Sequence, residues 1–98
     1  MRVLFQDAKL AKLESEAGFA AGFAQEAMRG YRRVMQFIRA ANDERDFYAM
    51  RSLNFEKLLG KRFGQYSFRI NDQWRLIACI QKSEPKNTIV ILEITDYH

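Results

Sequence analysis

Two arginines and one histidine are the residues of this chain best suited to chemistry on an anion. Arg69 and Arg75 flank a short polar link, Asn71-Asp72-Gln73. Pairing Ile70 with Trp74 and Phe68 with Leu76 gathers both apolar sets on one face of a hairpin, and a one-residue slip would scatter them. The same register sets Arg69 directly opposite Arg75. Like charges opposed across strands are unfavourable, which leaves two readings. Carboxylates and solvent neutralise two ordinary arginines, or two guanidinium forks stand ready for phosphate oxygens. The single histidine is His98. Its imidazole, with a reference pKa of about 6.5, is the natural proton carrier near neutrality. The plain alternative is a frayed terminal residue.

The remaining composition narrows the field. One Cys excludes an internal disulfide framework, and one Cys with one His cannot build a four-ligand zinc cage. No metal or cofactor is implied. Sixteen Lys and Arg against twelve Asp and Glu give a formal charge of +4, which suits an anionic partner. No apolar run approaches the roughly 20 residues of a membrane span. Asp7 falls where a signal peptide would be apolar, so a reduced cytoplasmic setting without a membrane partner is expected. At 98 residues, 48% of them apolar, a single domain over residues 1–98 is expected.

Positioning those groups falls to elements with two periods. Val3-Leu4-Phe5 is a short β-prone opening, and Asp7 can cap a helix over Asp7–Glu16 with Leu10 and Leu13 on its apolar edge. From Phe23, apolar residues through Ile38 follow one face of a 3.6 period. Arg29, Arg32, Arg33 and Arg39 fall opposite, as a solvated face or as a contact for a nucleic acid or an acidic partner. Asp43–Met50 adds one or two turns. After Gly60 the period becomes two, with strands over Gln65–Asn71, Trp74–Gln81 and Thr88–Ile94. Tyr66 and Trp74 belong to the inward set, where core packing competes with stacking on bases. The near-continuous Thr88–Ile94 run reads as a strand covered on both faces. Cys79 gets no role. The order predicts an α+β fold of two layers, helices on a mainly antiparallel sheet ending in a three-strand meander.

The segment FEKLLGKRFGQYSFRINDQWRLI, followed by a strand and Asp96-Tyr97-His98, resembles the RelE/ParE superfamily of bacterial toxins. Within it, the chain is most similar to the HigB-type plasmid maintenance killer branch. The matching residues are Leu58, Gly60, Arg62, Gly64, Tyr66, Ser67, Arg69, Asn71, Trp74 and Arg75, then the closing Asp96, Tyr97 and His98. The first half of the chain agrees in element order more than in residues. The resemblance implies a RelE-like fold with helices on one sheet face and a basic active surface on the other. By that analogy Arg69, Arg75, Asp96, Tyr97 and His98 belong to the catalytic surface. Lys57, Lys61 and Arg62 fall at its RNA-binding rim. Several relatives carry a loop histidine where this chain has Glu56, which either substitutes as a proton acceptor there or leaves the position silent. Leu59 replaces a common lysine and removes one phosphate contact.

The activity implied is metal-independent cleavage of mRNA on the ribosome, with a helix-turn-helix antitoxin as the silencing partner in a heteromeric complex. Such cleavage needs a group to take the 2′ proton, a group to protonate the leaving 5′ oxygen, and cations on the phosphoryl oxygens. Arg69 and Arg75 near His98 would lower its pKa, and Asp96 would oppose that shift. A ParE-like toxin that poisons DNA gyrase without catalysis is the competing reading, and a module of this fold that merely binds is a third.

Overall fold

A computed structural model describes residues 1–96 of the chain. Strand Arg2–Phe5 (β1) leads to Asp7, whose carboxylate accepts from the Lys9 amide and caps helix Ala8–Ser15 (α1). Leu10 and Leu13 are its buried edge, as the spacing predicts. Helix Gln25–Ala40 (α2) buries Ala27, Met28, Tyr31, Val34, Met35 and Ile38. It starts two residues after Phe23 because Ala21 and Gly22 adopt positive φ just before it. Phe23 instead closes edge-on against Trp74, with ring centroids 5.1 Å apart. Helix Glu44–Ala49 (α3) is capped by Asp43. The Arg45 side chain, and then its amide, hold the Asp43 carboxyl down to about 2.

Four more strands follow: Glu56–Lys57 (β2), Tyr66–Arg69 (β3), Trp74–Gln81 (β4) and Thr88–Asp96 (β5). The sheet order is β1-β5-β4-β3-β2, with β1 parallel to β5 and the other pairs antiparallel. The expected hairpin register holds, with Phe68 opposite Leu76 and Arg69 opposite Arg75. The two-residue β2 is too short to show alternation and was not anticipated.

Phe68, Leu76, Ala78, Ile89 and Ile91 face α1, α2 and α3 in one core, with Tyr66 and Trp74 packed at its margin. Core packing is therefore the setting of both rings. Phe47, Phe55 and Phe68 join that core through ring contacts at 4.8–5.2 Å. The architecture is the two-layer α+β sandwich expected.

The reading of β5 as a strand covered on both faces is corrected. A β-bulge lies between Ile77 and Ala78: Ile77 pairs with Glu93 and Ala78 with Ile91, leaving Leu92 as the extra residue. Ile89, Ile91 and Ile94 face the helices, whereas Val90 and Glu93 share the helix-free face with Cys79 and Ile77. An unbroken apolar string thus arises from one face plus a change of side.

Candidate functional site

The helix-free face carries Glu56, Ser67, Arg69, Arg75, Ile77 and Glu93, brought together by pairing across four strands. Arg75 is buried, with 4% of its surface exposed. Its Nη2 donates to Ser67 Oγ at 2.6 Å and to the Asn54 carbonyl at 2.8 Å. Glu56 Oε2 lies 3.9 Å from the same nitrogen. Asn54 is left-handed at φ 42°, so the buried guanidinium grips the turn that launches β2. Arg69 behaves differently: its side chain is 44% exposed and pairs with Asp72 in the hairpin turn. Two opposed like charges are accommodated by sending one inward and the other toward the turn.

A third guanidinium completes the face. Arg62 Nη1 donates to Gln65 Oε1 at 3.0 Å and to Glu93 Oε2 at 3.3 Å. Since Gln65 precedes β3 and Glu93 lies on β5, this side chain crosses over β4. Each of the three arginines therefore has a carboxylate beside it: Glu56, Asp72 or Glu93. The open choice between a neutralised pair and a bare anion site resolves toward neutralisation. An incoming phosphate must exchange with a carboxylate, and Arg69, whose partner Asp72 is almost fully exposed, is the easiest to redirect.

Other expected site residues scatter. Lys57 pairs with Tyr66 and Asp96 with Trp74, so both fall on the strand side opposite Arg69 and Arg75. The Asp96 carboxylate accepts from Gln73 Nε2 at 3.3 Å. Lys61 is exposed on the 3-10 turn Gly60–Arg62. Tyr97 and His98 lie outside the described residues. Ser67, Asn54, Glu93 and Asp72 were not singled out from the sequence. Ser67 stood inside the matching segment, but nothing local marked it as the partner of a buried arginine.

The arginine stripe of α2 is not simply a solvated face. Arg32 donates to the carbonyls of Leu13, Glu16 and Phe19, Arg33 to that of Ile70, and Arg39 forks onto Glu14 with two 2.6 Å bonds. These side chains tie α2 to the α1–α2 link and to β3. A groove of about 570 Å³ between α2 and the β3–β4 turn is lined by Arg29, Arg33, Arg69, Asp72 and Trp74. Through Arg69 it adjoins the helix-free face.

Among the described residues no group of three or more His, Cys, Asp or Glu side chains gathers as a metal site, and no helix is long and apolar enough to cross a membrane. No protein-family model matches the chain, and neither does any curated protein. Among solved structures it is similar to a YoeB/ParE toxin from Agrobacterium tumefaciens, at 14% identity and a TM-score of 0.59, covering 100% of both chains. At that identity the likeness is one of fold: this chain has the α+β fold of a RelE/ParE-type toxin.

Proposed function

We propose that the chain is the toxin of a toxin–antitoxin pair, a HigB-type endoribonuclease that cuts mRNA on the ribosome and arrests growth. The observation that carries this reading is the helix-free sheet face of a toxin fold. It presents an exposed guanidinium, Arg69, and a half-exposed carboxylate, Glu56, with the buried Arg75 next to Glu56. In the reaction the 2′-OH attacks its own phosphate. The P–O2′ bond forms and the P–O5′ bond breaks, leaving a 2′,3′-cyclic phosphate and a free 5′-OH. Glu56 accepts the 2′ proton. His98 is the proton carrier to the departing 5′ oxygen. Arg69 leaves Asp72 to meet the charge that builds on the phosphoryl oxygens. Arg75 acts through Glu56 as a positioning residue, because it is buried and its Nη2 is committed to Ser67 and Asn54. Tyr97 belongs to the surface implied by the closing motif, Asp96 supports it from the opposite side of β5, and Lys57, Lys61 and Arg62 lead RNA toward it. The silencing partner is a helix-turn-helix antitoxin in a heteromeric complex.

The test is induction of wild type beside His98→Ala and Arg69→Ala, with mapping of mRNA 5′ ends. New ends within translated frames and growth arrest are expected for wild type, with both lost in the variants. Arrest without new ends would replace this reading by the gyrase-poisoning one.

A further inference from the structure

The loop between β2 and β3 is built to hold two apolar side chains in water. Gly60 at φ +65° and Gly64 at φ +90° bracket the 3-10 turn, conformations that L side chains rarely adopt. The Leu58 amide donates to the Gln65 carbonyl at 2.9 Å and closes the loop. The result leaves Leu59 80% and Phe63 83% exposed, the two most exposed large apolar side chains described. Beside them lies a pocket of about 190 Å³ whose walls are Leu58, Leu59, Phe63 and Tyr66, with Lys57 at its margin. Tyr66 is held rigid by a parallel stack on Phe55, with centroids 5.1 Å apart and planes 5° from parallel. That volume is below the roughly 300–1,000 Å³ of sites for drug-sized molecules and suits one flat ring system.

Charge selects the occupant. Arg62, Arg69 and Arg75 each sit beside a carboxylate, whereas among the described residues Lys57 and Lys61 make no ion pair. An apolar slot with an aromatic wall, Lys57 in its lining and Lys61 on the neighbouring turn matches a nucleobase with its phosphates. The loop also straddles the sheet edge: Arg62 reaches the helix-free face through Glu93, while Phe63, next in sequence, lines the pocket.

We infer that this pocket is a base-stacking subsite for single-stranded RNA, in which Phe63 receives one nucleobase and Lys57 and Lys61 receive the flanking phosphates. The inference rests on the RNA-cleaving reading and adds to it where a neighbouring nucleotide is held. Alanine replacement of a stacking aromatic typically costs about 1–3 kcal/mol per base, roughly 5-fold to 150-fold in affinity.

The experiment measures anisotropy of a fluorescein-labelled 2′-O-methyl octaribonucleotide, which lacks the attacking hydroxyl, at low salt with the full chain. Phe63→Ala should weaken binding at least about fivefold while thermal unfolding is unchanged, because the ring is exposed. Phe63→Trp should keep wild-type affinity and show emission quenched by the oligonucleotide. Equal affinity in wild type and Phe63→Ala, or no binding by wild type, overturns the subsite. So does wild-type RNA affinity in Phe63→Ala with loss of a co-expressed antitoxin, which assigns the loop to a protein partner. RNA binding that depends on Phe63, without new mRNA ends in induced cells, leaves the subsite standing and removes the cleavage reading. New ends with no dependence on Phe63 do the reverse.

Discussion

Replacing Arg75 by alanine separates a positioning role from a direct one. The guanidinium is 4% exposed and donates bonds of 2.6 and 2.8 Å to Ser67 Oγ and the Asn54 carbonyl. Hydrogen bonds to charged groups contribute about 1.5–3 kcal/mol each, and breaking a buried charged network by removing one member costs about 3–5 kcal/mol. The half-exposed Glu56, 3.9 Å away, adds under about 1 kcal/mol. Arg75→Ala should therefore destabilise by about 3–5 kcal/mol, a large share of the roughly 5–15 kcal/mol total for a domain. With a urea m-value near 2 kcal/mol per M, the unfolding midpoint falls by about 2 M. Arg69→Ala, which removes an exposed pair with Asp72, should lower stability by less than about 1 kcal/mol and yet abolish mRNA cleavage. Urea melts followed by circular dichroism give both values. An Arg75→Ala midpoint within about 0.5 M of wild type would refute the buried-anchor reasoning.

Three further outcomes follow from the packing and the titrations. A Cβ on Gly30 would stand 2.7 Å from the Ile70 carbonyl oxygen, so Gly30→Ala should destabilise by about 1–3 kcal/mol in a thermal melt, despite the usual helix gain. Tyr31→Phe removes the buried 2.7 Å bond from the phenol to the Leu10 carbonyl and should cost about 1–3 kcal/mol in the same assay. Asp43 titrates lower when folded, so its stabilisation is present above the ordinary carboxylate value of 3.8 and is lost as pH falls through about 2. The stability difference between wild type and Asp43→Asn should be level above pH 4 and vanish through that window in pH-dependent urea melts. A difference that instead grows on acidification would reverse the sign.

What the sequence made legible was whatever repeats. Trp74–Gln81 forms a strand with the ends read from its period of two, and its pairing with Phe68 and Arg69 followed from keeping apolar residues together. The periodic stretch through Ile38 became α2, with an error only where Phe23 continued the pattern beyond the helix. What escaped was contact between distant residues. Nothing near Arg75 in sequence shows that Ser67 and Asn54 will enclose it, and an arginine in a strand reads as exposed. The acceptors of Arg32, Arg33 and Arg39, carbonyls of other elements or a glutamate on α1, escaped for the same reason, while Arg33 and Arg39 stay exposed as a solvated face. A two-residue strand such as β2 gives no period to read.

The extra residue at Leu92 works as a phase shifter in β5. Were Leu92 paired regularly instead of bulged out, Ile94 would sit opposite Arg75 on the helix-free face and Glu93 would point into the core. One inserted residue thus lets a greasy strand supply an acidic partner to Arg62 and then return isoleucine to the interior. Deleting Leu92 would remove the bulge and keep Glu93 opposite Ile77 and Ile94 opposite Leu76, each on its present face. Strand length here is a coding frame that the bulge corrects, and a single-residue deletion on either side of it is the frameshift.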